Sequence, residues 1–400
     1  MSTAQSFLLL LIVLGTAATA LRFLSRATAS VPYPVLLAVG GILIGLAPGL
    51  RLPQVGPDLI LLVFVPGLVF EASLNLDLEE LRRRILPVGL LATAGVFVTV
   101  TLVGLLTHAI LGFGWAAGFL LGSIVAATDP IAVVTLLRQV GAPRGLEAIL
   151  DGESLFNDGT GVAVFAAVLG TILTGHPSAG DAVLRFAIVT GIGTAVGIAA
   201  GAAGVLLLRM VREAELEILI TLVIAYGSYL AADIAHASGV VAVVAAGIVV
   251  ARFGSRSGRL QGTQLHGFWR LLAFVLNAML FLIVGIALPA HRLLGVAGLV
   301  LAAYGIMLVA RAVPVYGLLA AADPRAKRIP WAWRHMTLWG GLRGALAVAL
   351  ALSVASDSVI PANVSVIAYG MVVLSLVIQG GLLLPVASLL RLRGSARDPS

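Results

Sequence analysis

Four short motifs place acidic, amide and hydroxyl side chains inside otherwise apolar stretches of this chain. They are LVFEASLNLDL (68–78), ATDPIAVV (127–134), GESLFNDGTGVAVF (152–165) and WGGLRGALAVALAL (339–352). A charge inside a bilayer costs about 2.5–3.5 kcal/mol, so each charged residue in an apolar span is a hypothesis about function. Six residues qualify: Glu71, Asp129, Glu153, Asp158, Arg311 and Arg343.

The motif at 152–161 predicts a helix that presents oxygen ligands. Residues four apart share a helix face, so Ser154 lies beside Asp158 and Glu153 lies beside Asn157. A hydroxyl and a carboxylate are hard oxygen ligands that suit a small alkali cation. Glu153 points elsewhere and needs a partner, for which Arg343 is the natural candidate. For the pair of Glu153 and Arg343 we favour a purely structural role.

The ATDP motif predicts a break inside a span. Asp129 followed by Pro130 is the pattern of an N-cap and a first-turn proline that restarts a helix. The Asp129 carboxylate then faces the positive end of the half-helix, and Thr128 offers a hydroxyl and a free carbonyl. We expect Thr128, Ser154 and Asp158 to converge with Glu71 on one site near the middle of the membrane.

The composition places the whole chain in a membrane. Of its 400 residues, 60% are hydrophobic and 11% are charged, and the mean hydropathy is +1.10. Soluble domains carry roughly one quarter charged residues, whereas runs of about 20 apolar residues are typical of transmembrane helices. The net charge of +7 does not indicate nucleic acid, because nearly all basic residues lie beside spans. The chain has no Cys, which excludes disulfides and thiolate chemistry.

Charges and turn residues divide the chain into thirteen predicted spans. These are about 6–25, 31–50, 57–76, 86–108, 114–138, 145–174, 181–209, 215–234, 236–253, 265–290, 294–321, 332–355 and 361–390. With this division, 20 of the 25 basic residues lie on one face, three lie on the other and two lie inside spans. The positive-inside rule then places the N-terminus outside and the C-terminus in the cytoplasm. We expect one membrane domain over 1–400, with a retained first helix and no separate soluble domain.

Two spans are predicted to be broken. The fifth contains Pro130, and the twelfth contains three glycines around Arg343. Because these spans lie seven apart, they cross the membrane in opposite directions. This arrangement indicates an inverted repeat, with helices 1–6 against 8–13 and discontinuous helices building a midplane site. Gly193, Gly197 and Gly201, at every fourth position of the seventh span, predict close helix packing.

The four motifs occur in an order and spacing that resembles the NhaP-type sodium/proton antiporters, the microbial relatives of animal sodium/proton exchangers. The resemblance extends over essentially the whole chain. It implies thirteen helices, a dimer domain, a six-helix core with two crossed broken helices, a homodimer, and electroneutral exchange of one cation for one proton. It implies no cofactor, only the transported Na⁺ and H⁺. Because the sequence stops at residue 400, we expect no regulatory tail of the kind that the animal members carry.

The resemblance also implies roles for individual residues. Asp158 matches the carboxylate shared by cation and proton, with Glu71, Ser154 and Thr128 completing the Na⁺ site. Asp129 resembles the acid that neutralises the helix ends. Asn157 matches the asparagine of the electroneutral branch. Glu153 and Arg343 resemble a structural ion pair of the core.

Several alternatives stay open from the sequence. An intramembrane hydrolase could use Asp129 and Asp158 as a dyad or Ser154 as a nucleophile, but no HExxH or GxSxG motif occurs. A channel is disfavoured because no filter-like re-entrant loop is visible. Na⁺ is the expected cation, Li⁺ and K⁺ are the alternatives, and the sequence assigns no role to Arg311.

Overall fold

The computed structural model describes residues 3–28, 32–47, 56–129, 131–173, 179–254, 263–287, 290–355, 360–361 and 363–392. This described part of the chain is helical and contains no strand. In hydrocarbon every backbone N–H and C=O must be bonded within the segment, which favours helices over open sheets. The prediction of an all-α protein is therefore confirmed.

The first eleven helices extend from the N-terminus to residue 254. They are α1 (Thr3–Thr28), α2 (Tyr33–Gly45), α3 (Pro57–Leu74), α4 (Leu78–Arg83), α5 (Ile85–Leu111), α6 (Trp115–Ile124), α7 (Ile131–Val140), α8 (Arg144–Leu173), α9 (Ala179–Met210), α10 (Ala214–Ile234) and α11 (Gly239–Gly254). The remaining helices are α12 (Thr263–Ile286), α13 (Ala290–Gly295), α14 (Ala297–Ala322), α15 (Trp331–Trp339), α16 (Ala345–Ser353), α17 (Asn363–Gly380) and α18 (Leu383–Leu389).

Nine helices of the described chain are long and apolar enough to cross a membrane, judged by length and composition. Three shorter apolar helices, α2, α6 and α11, accompany them. Helical segments lie within every predicted span, but several are short or divided. The number of thirteen crossings therefore stays a prediction.

Helix α8 lies at the centre of the fold and packs against α5, α6, α9 and α11. The packing of α9 on α11 confirms the role expected for the glycines of the seventh span. A methyl group on Gly197 would overlap the carbonyl oxygen of Ala242, and Gly193 and Gly201 face the carbonyl oxygens of Ser238 and Ala246 in the same way. Close backbone contact thus holds α9 and α11 together, as small residues allow in membrane helices.

Three of the described helices contain a turn of π-helix. These turns are Ile60–Phe64 in α3, Leu91–Gly95 in α5 and Ser375–Gly380 in α17. A π turn widens the helix by one residue and is frequent at functional sites. The turn in α17 lies against the break between α15 and α16, as described below.

Candidate cation site

The break predicted in the fifth span is present between α6 and α7. Helix α6 ends at Ile124, α7 begins at Ile131, and residues 125–129 are not helical. Asp129 is the last described residue before α7. Pro130, the predicted first-turn proline, lies outside the described residues. The break leaves backbone carbonyls of this segment without their helical partners.

The second predicted break separates α15 from α16 and consists of residues 340–344. Its glycines allow close contact with neighbouring groups: a methyl group on Gly344 would overlap Cβ of Asp129, and one on Gly341 would overlap the guanidinium of Arg311. The two breaks meet directly, because the backbone N–H of Asp129 donates to the carbonyl oxygen of Leu342 at 2.8 Å. Both predicted breaks are therefore present and in contact, whereas the crossing of the two helices stays a prediction.

Arg343 joins the two breaks from the other direction. One terminal nitrogen donates to the carbonyl oxygens of Ala126 and Ala127, at 3.2 and 3.3 Å. Its Nε lies 3.2 Å from Sδ of Met307. The side chain is fully buried. Arg343 therefore satisfies carbonyls that the first break releases.

Helix α8 supplies the side chains that hold Thr128. The Thr128 hydroxyl lies 2.9 Å from the Ser154 hydroxyl and accepts a hydrogen bond from Nδ2 of Asn157 at 2.8 Å. The amide oxygen of Asn157 accepts from the Thr128 N–H at 3.2 Å. Both Ser154 and Asn157 are buried. The structure thus brings together three of the residues predicted for the site, with Asp158 one turn beyond Ser154.

Asp158 faces a cavity of about 680 Å³. The cavity wall includes oxygen-bearing side chains from two helices, α3 and α8, and from the first break: Glu71, Thr128, Asp129, Asp151, Ser154 and Asp158. Among the described residues, no side chain donates a hydrogen bond to Asp158 or forms an ion pair with it. A carboxylate without a countercharge among the described residues, in a cavity whose wall also carries the Thr128 and Ser154 hydroxyls, is suited to bind a small cation.

Glu71 lines the same cavity but makes no hydrogen bond with the Thr128 and Ser154 cluster. Its Oε1 accepts from Nδ2 of Asn75 at 2.8 Å, and Oδ1 of Asn75 lies 2.9 Å from Nδ1 of His266. These contacts link α3 to α12. The sequence interpretation did not include Asn75, although its position four residues after Glu71 was a visible signal.

Asp151 is a second residue that the sequence interpretation missed. It lines the cavity seven residues before Asp158, on the same face of α8. Arg138 of α7 donates to Asp151 at 3.1 Å and to Glu147 at 3.2 Å. These pairs are partly exposed, so each contributes little stability, and a cation that enters the cavity can compete with Arg138.

The predicted pairing of Glu153 with Arg343 is wrong. Glu153 forms a buried ion pair with Arg311 of α14, with 2.9 Å between Oε1 and the guanidinium nitrogen, and the two side chains are 2% and 6% exposed. Arg311 also donates to the carbonyl oxygen of Thr337 at 3.3 Å. The reason is that the second break directs Arg343 to the carbonyls of the first break. Glu153 therefore pairs with Arg311 of α14, a residue to which the sequence assigned no role.

Comparison with known proteins agrees with this architecture. Residues 9–389 match the family described as "Sodium/hydrogen exchanger, transmembrane". The chain is 34% identical over 384 residues to the Na⁺/H⁺ antiporter ApNhaP of Aphanothece halophytica, which covers 94% of this chain and 73% of that protein. It is 34% identical over 367 residues to the Na⁺/H⁺ antiporter NhaG of Bacillus atrophaeus, which covers 87% and 68%.

A solved structure shares the fold. The sodium proton antiporter MjNhaP1 of Methanocaldococcus jannaschii superimposes with a TM-score of 0.73 over 97% of this chain and 98% of that one, at 19% identity. That identity supports the fold alone, whereas the family match covers nearly the whole chain. This protein is a member of the sodium/hydrogen exchanger family.

Proposed function

We propose that this protein exchanges a monovalent cation, Na⁺ in the first place, for H⁺ across a membrane, with both ions competing for Asp158. The observation that carries the proposal is the Asp158 carboxylate, which has no ion-pair partner among the described residues and lines a cavity of about 680 Å³ together with residues of the joined breaks. Family membership supports cation:proton exchange rather than hydrolysis or passive conduction. Li⁺ and K⁺ are the alternative cations, and the transported ion is substrate rather than cofactor.

In this mechanism one carboxylate serves two ligands in turn. Thr128 and Ser154 supply hydroxyl oxygens beside Asp158, and Glu71 lies farther along the cavity wall. Asp129 and Arg343 hold the joined breaks in place. A cation or a proton bound to Asp158 neutralises its charge. Only the neutral form of the site can move through the membrane at a low free-energy cost. Alternating access of this single site then couples the two fluxes.

The orientation follows from the positions of the basic residues. The cavity wall includes Arg22, Arg138 and Arg270, which all belong to the face predicted to be cytoplasmic. With the N-terminus outside and the C-terminus inside, Asp158 is open to the cytoplasm in this conformation. We further propose a cell-membrane location and a homodimer, the assembly that the family resemblance implies.

The proposed function is tested by purified protein in liposomes that contain a pH-sensitive dye. An outward or inward Na⁺ gradient should drive proton movement in the opposite direction, and parallel series with Li⁺ and K⁺ rank the cations. Protein-free liposomes give the background. Proton flux that is independent of every alkali cation would refute the proposal.

Exchange is expected to be electroneutral. A single carboxylate that trades one proton for one monovalent cation carries the same charge in both directions, and Asn157 cannot add a second proton. A membrane potential imposed by a K⁺ gradient with valinomycin should therefore leave the initial rate of Na⁺-driven proton movement unchanged. Rates that rise with one polarity and fall with the other would show that net charge moves.

Sodium and protons are expected to compete rather than cooperate. Below the apparent pKa of the site, each unit of acidification lowers the fraction of free carboxylate, and so should raise the half-saturating Na⁺ concentration, by about tenfold. The maximal rate should change much less. The measurement is the Na⁺ dependence of exchange at several symmetric pH values. A constant half-saturating concentration with a collapsing maximal rate would indicate an allosteric proton switch instead.

A further inference from the structure

Ser375 and Gln379 are two fully buried polar residues in the π turn of α17. They lie outside the cavity wall, and nothing in the mechanism above uses them. Buried polar side chains in a membrane helix are costly unless they are hydrogen-bonded. Their partners therefore indicate what these residues do.

Within the described part of the chain, the hydrogen bonds of these two side chains lead to each other and to the second break. Nε2 of Gln379 donates to the carbonyl oxygen of Trp339 at 2.9 Å, and Nε1 of Trp339 donates back to the carbonyl oxygen of Gln379 at 3.0 Å. The Ser375 hydroxyl donates to Oε1 of Gln379 at 3.0 Å and accepts from the backbone N–H of Arg343 at 3.0 Å. The two side chains and the Trp339 ring form what we call the α17 clamp.

The clamp binds the backbone groups that the break leaves without helical partners. Trp339 is the last residue of α15, so its carbonyl has no partner within the helix. Arg343 lies in the unwound segment, so its backbone N–H also has no partner within a helix. The π turn brings Ser375 and Gln379, four residues apart, into line with both ends of this segment. The clamp thus holds both ends of the segment 340–343 through groups other than those that bond the first break.

The segment that the clamp fixes is the one that holds the cation site. Arg343 donates to the carbonyls of Ala126 and Ala127, and Leu342 accepts from the N–H of Asp129. Those residues flank Thr128, whose hydroxyl lies beside Ser154. One continuous set of hydrogen bonds therefore runs from α17 through both breaks to the site.

We propose that Ser375 and Gln379 are positioning residues for the cation site: they hold the second break so that Thr128 and Asp129 keep their place beside Asp158. This inference rests on the proposed cation exchange and adds a determinant of cation affinity and selectivity on a helix that contributes no ligand. A site held rigidly discriminates between ions of different size, whereas a loosened site binds both more weakly and discriminates less.

The alternative is that the clamp only stabilises the fold. Tyr369 provides the matched control, because it lies on the same helix, is 2% exposed, and donates one buried hydrogen bond to the carbonyl oxygen of Val284 at 2.9 Å. Tyr369→Phe removes a buried hydrogen bond from α17 without touching either break. If the clamp were purely structural, substitutions in the clamp should have the same effects as Tyr369→Phe on unfolding temperature, half-saturating cation concentrations and the ion ratio.

The experiment compares Gln379→Met, Ser375→Ala and Tyr369→Phe with the wild-type protein. Gln379→Met keeps the length of the side chain but removes its donor and acceptor. Initial exchange rates in liposomes are measured over a range of Na⁺ and of Li⁺ concentrations, and thermal unfolding is measured in detergent with and without each cation. We expect both clamp variants to raise the half-saturating Na⁺ concentration by about fivefold or more, and to shift the Na⁺ to Li⁺ ratio.

Tyr369→Phe should unfold at a lower temperature while its half-saturating concentrations and its ion ratio stay at wild-type values. The effects of Gln379→Met and Ser375→Ala should be less than additive in the double variant, because the two side chains bond each other. Half-saturating concentrations and ion ratios at wild-type values in both clamp variants would overturn the inference. The cation-dependent shift in unfolding temperature measures cation binding and does not require transport. If the wild-type protein showed no exchange, the proposed function would be refuted, but the effect of the clamp variants on cation binding could still be measured.

Discussion

Replacing Asp158 by Asn is expected to abolish exchange while the protein still folds. The variant keeps the shape of the side chain but removes the only group in the proposed mechanism that alternates between cation and proton. Because no described side chain pairs with Asp158, the substitution strands no partner, and removing an unpaired charge from a membrane span lowers a cost of folding. Proton movement driven by Na⁺ in liposomes should fall to the level of protein-free vesicles, and the unfolding temperature should not decrease.

Asp151→Asn is the matched control for this substitution. Asp151 is a carboxylate on the same face of α8 and lines the same cavity, but it is engaged by Arg138 at 3.1 Å. We expect Asp151→Asn to change the half-saturating Na⁺ concentration and to keep a substantial maximal rate. Exchange by Asp158→Asn at near wild-type rates would place the cation and proton site elsewhere in the molecule.

The sequence predicted the main elements of the site because the membrane makes polar residues conspicuous. Inside apolar spans, a proline after Asp129 and glycines around Arg343 indicate interrupted helices. Both breaks occur at the positions that these residues predicted. The grouping of Thr128 with Ser154 followed from the break and from the four-residue spacing on α8. Such features depend on local chemistry, which a sequence records directly.

The partner of Glu153 could not be obtained in the same way. Helical periodicity states which face of α8 carries Glu153, but it does not state which helix packs against that face. Arg311 and Arg343 were both buried arginines of the second half of the chain, and the choice between them depends on the path of residues 340–344. That path is set by tertiary contacts, including the clamp and the Gly341 contact with Arg311.

The clamp itself was overlooked for a related reason. A π turn has no composition of its own, since Ser375–Gly380 reads as an ordinary apolar stretch with two polar residues. The residues that stand out inside the spans are charged, and Gln379 carries no charge. An uncharged amide at the membrane interior nevertheless needs partners for two donors and an acceptor, and that requirement was the available signal.

The second large effect is expected at the Glu153 and Arg311 pair, in stability rather than in transport. Both side chains are almost fully buried, and their charged atoms lie 2.9 Å apart. Removing one partner leaves the other charge buried without compensation, which costs about 3–5 kcal/mol. Glu153→Gln and Arg311→Gln should therefore each lower the free energy of unfolding in detergent by that order, whereas the double variant should lose less than the sum.

A double-mutant cycle decides which arginine is the partner of Glu153. The cycle of Glu153→Gln with Arg311→Gln should give a coupling energy of about 0.5–3 kcal/mol, as for residues in direct contact. The parallel cycle with Arg343→Gln should show a smaller coupling, because Arg343 is bonded to the carbonyls of Ala126 and Ala127 instead. Arg343→Gln should still destabilise the protein, since those carbonyls lose their donor inside the membrane. Additivity in the first cycle together with strong coupling in the second would restore the pairing that the sequence alone suggested, and would mean that the second break follows a different path from the one described.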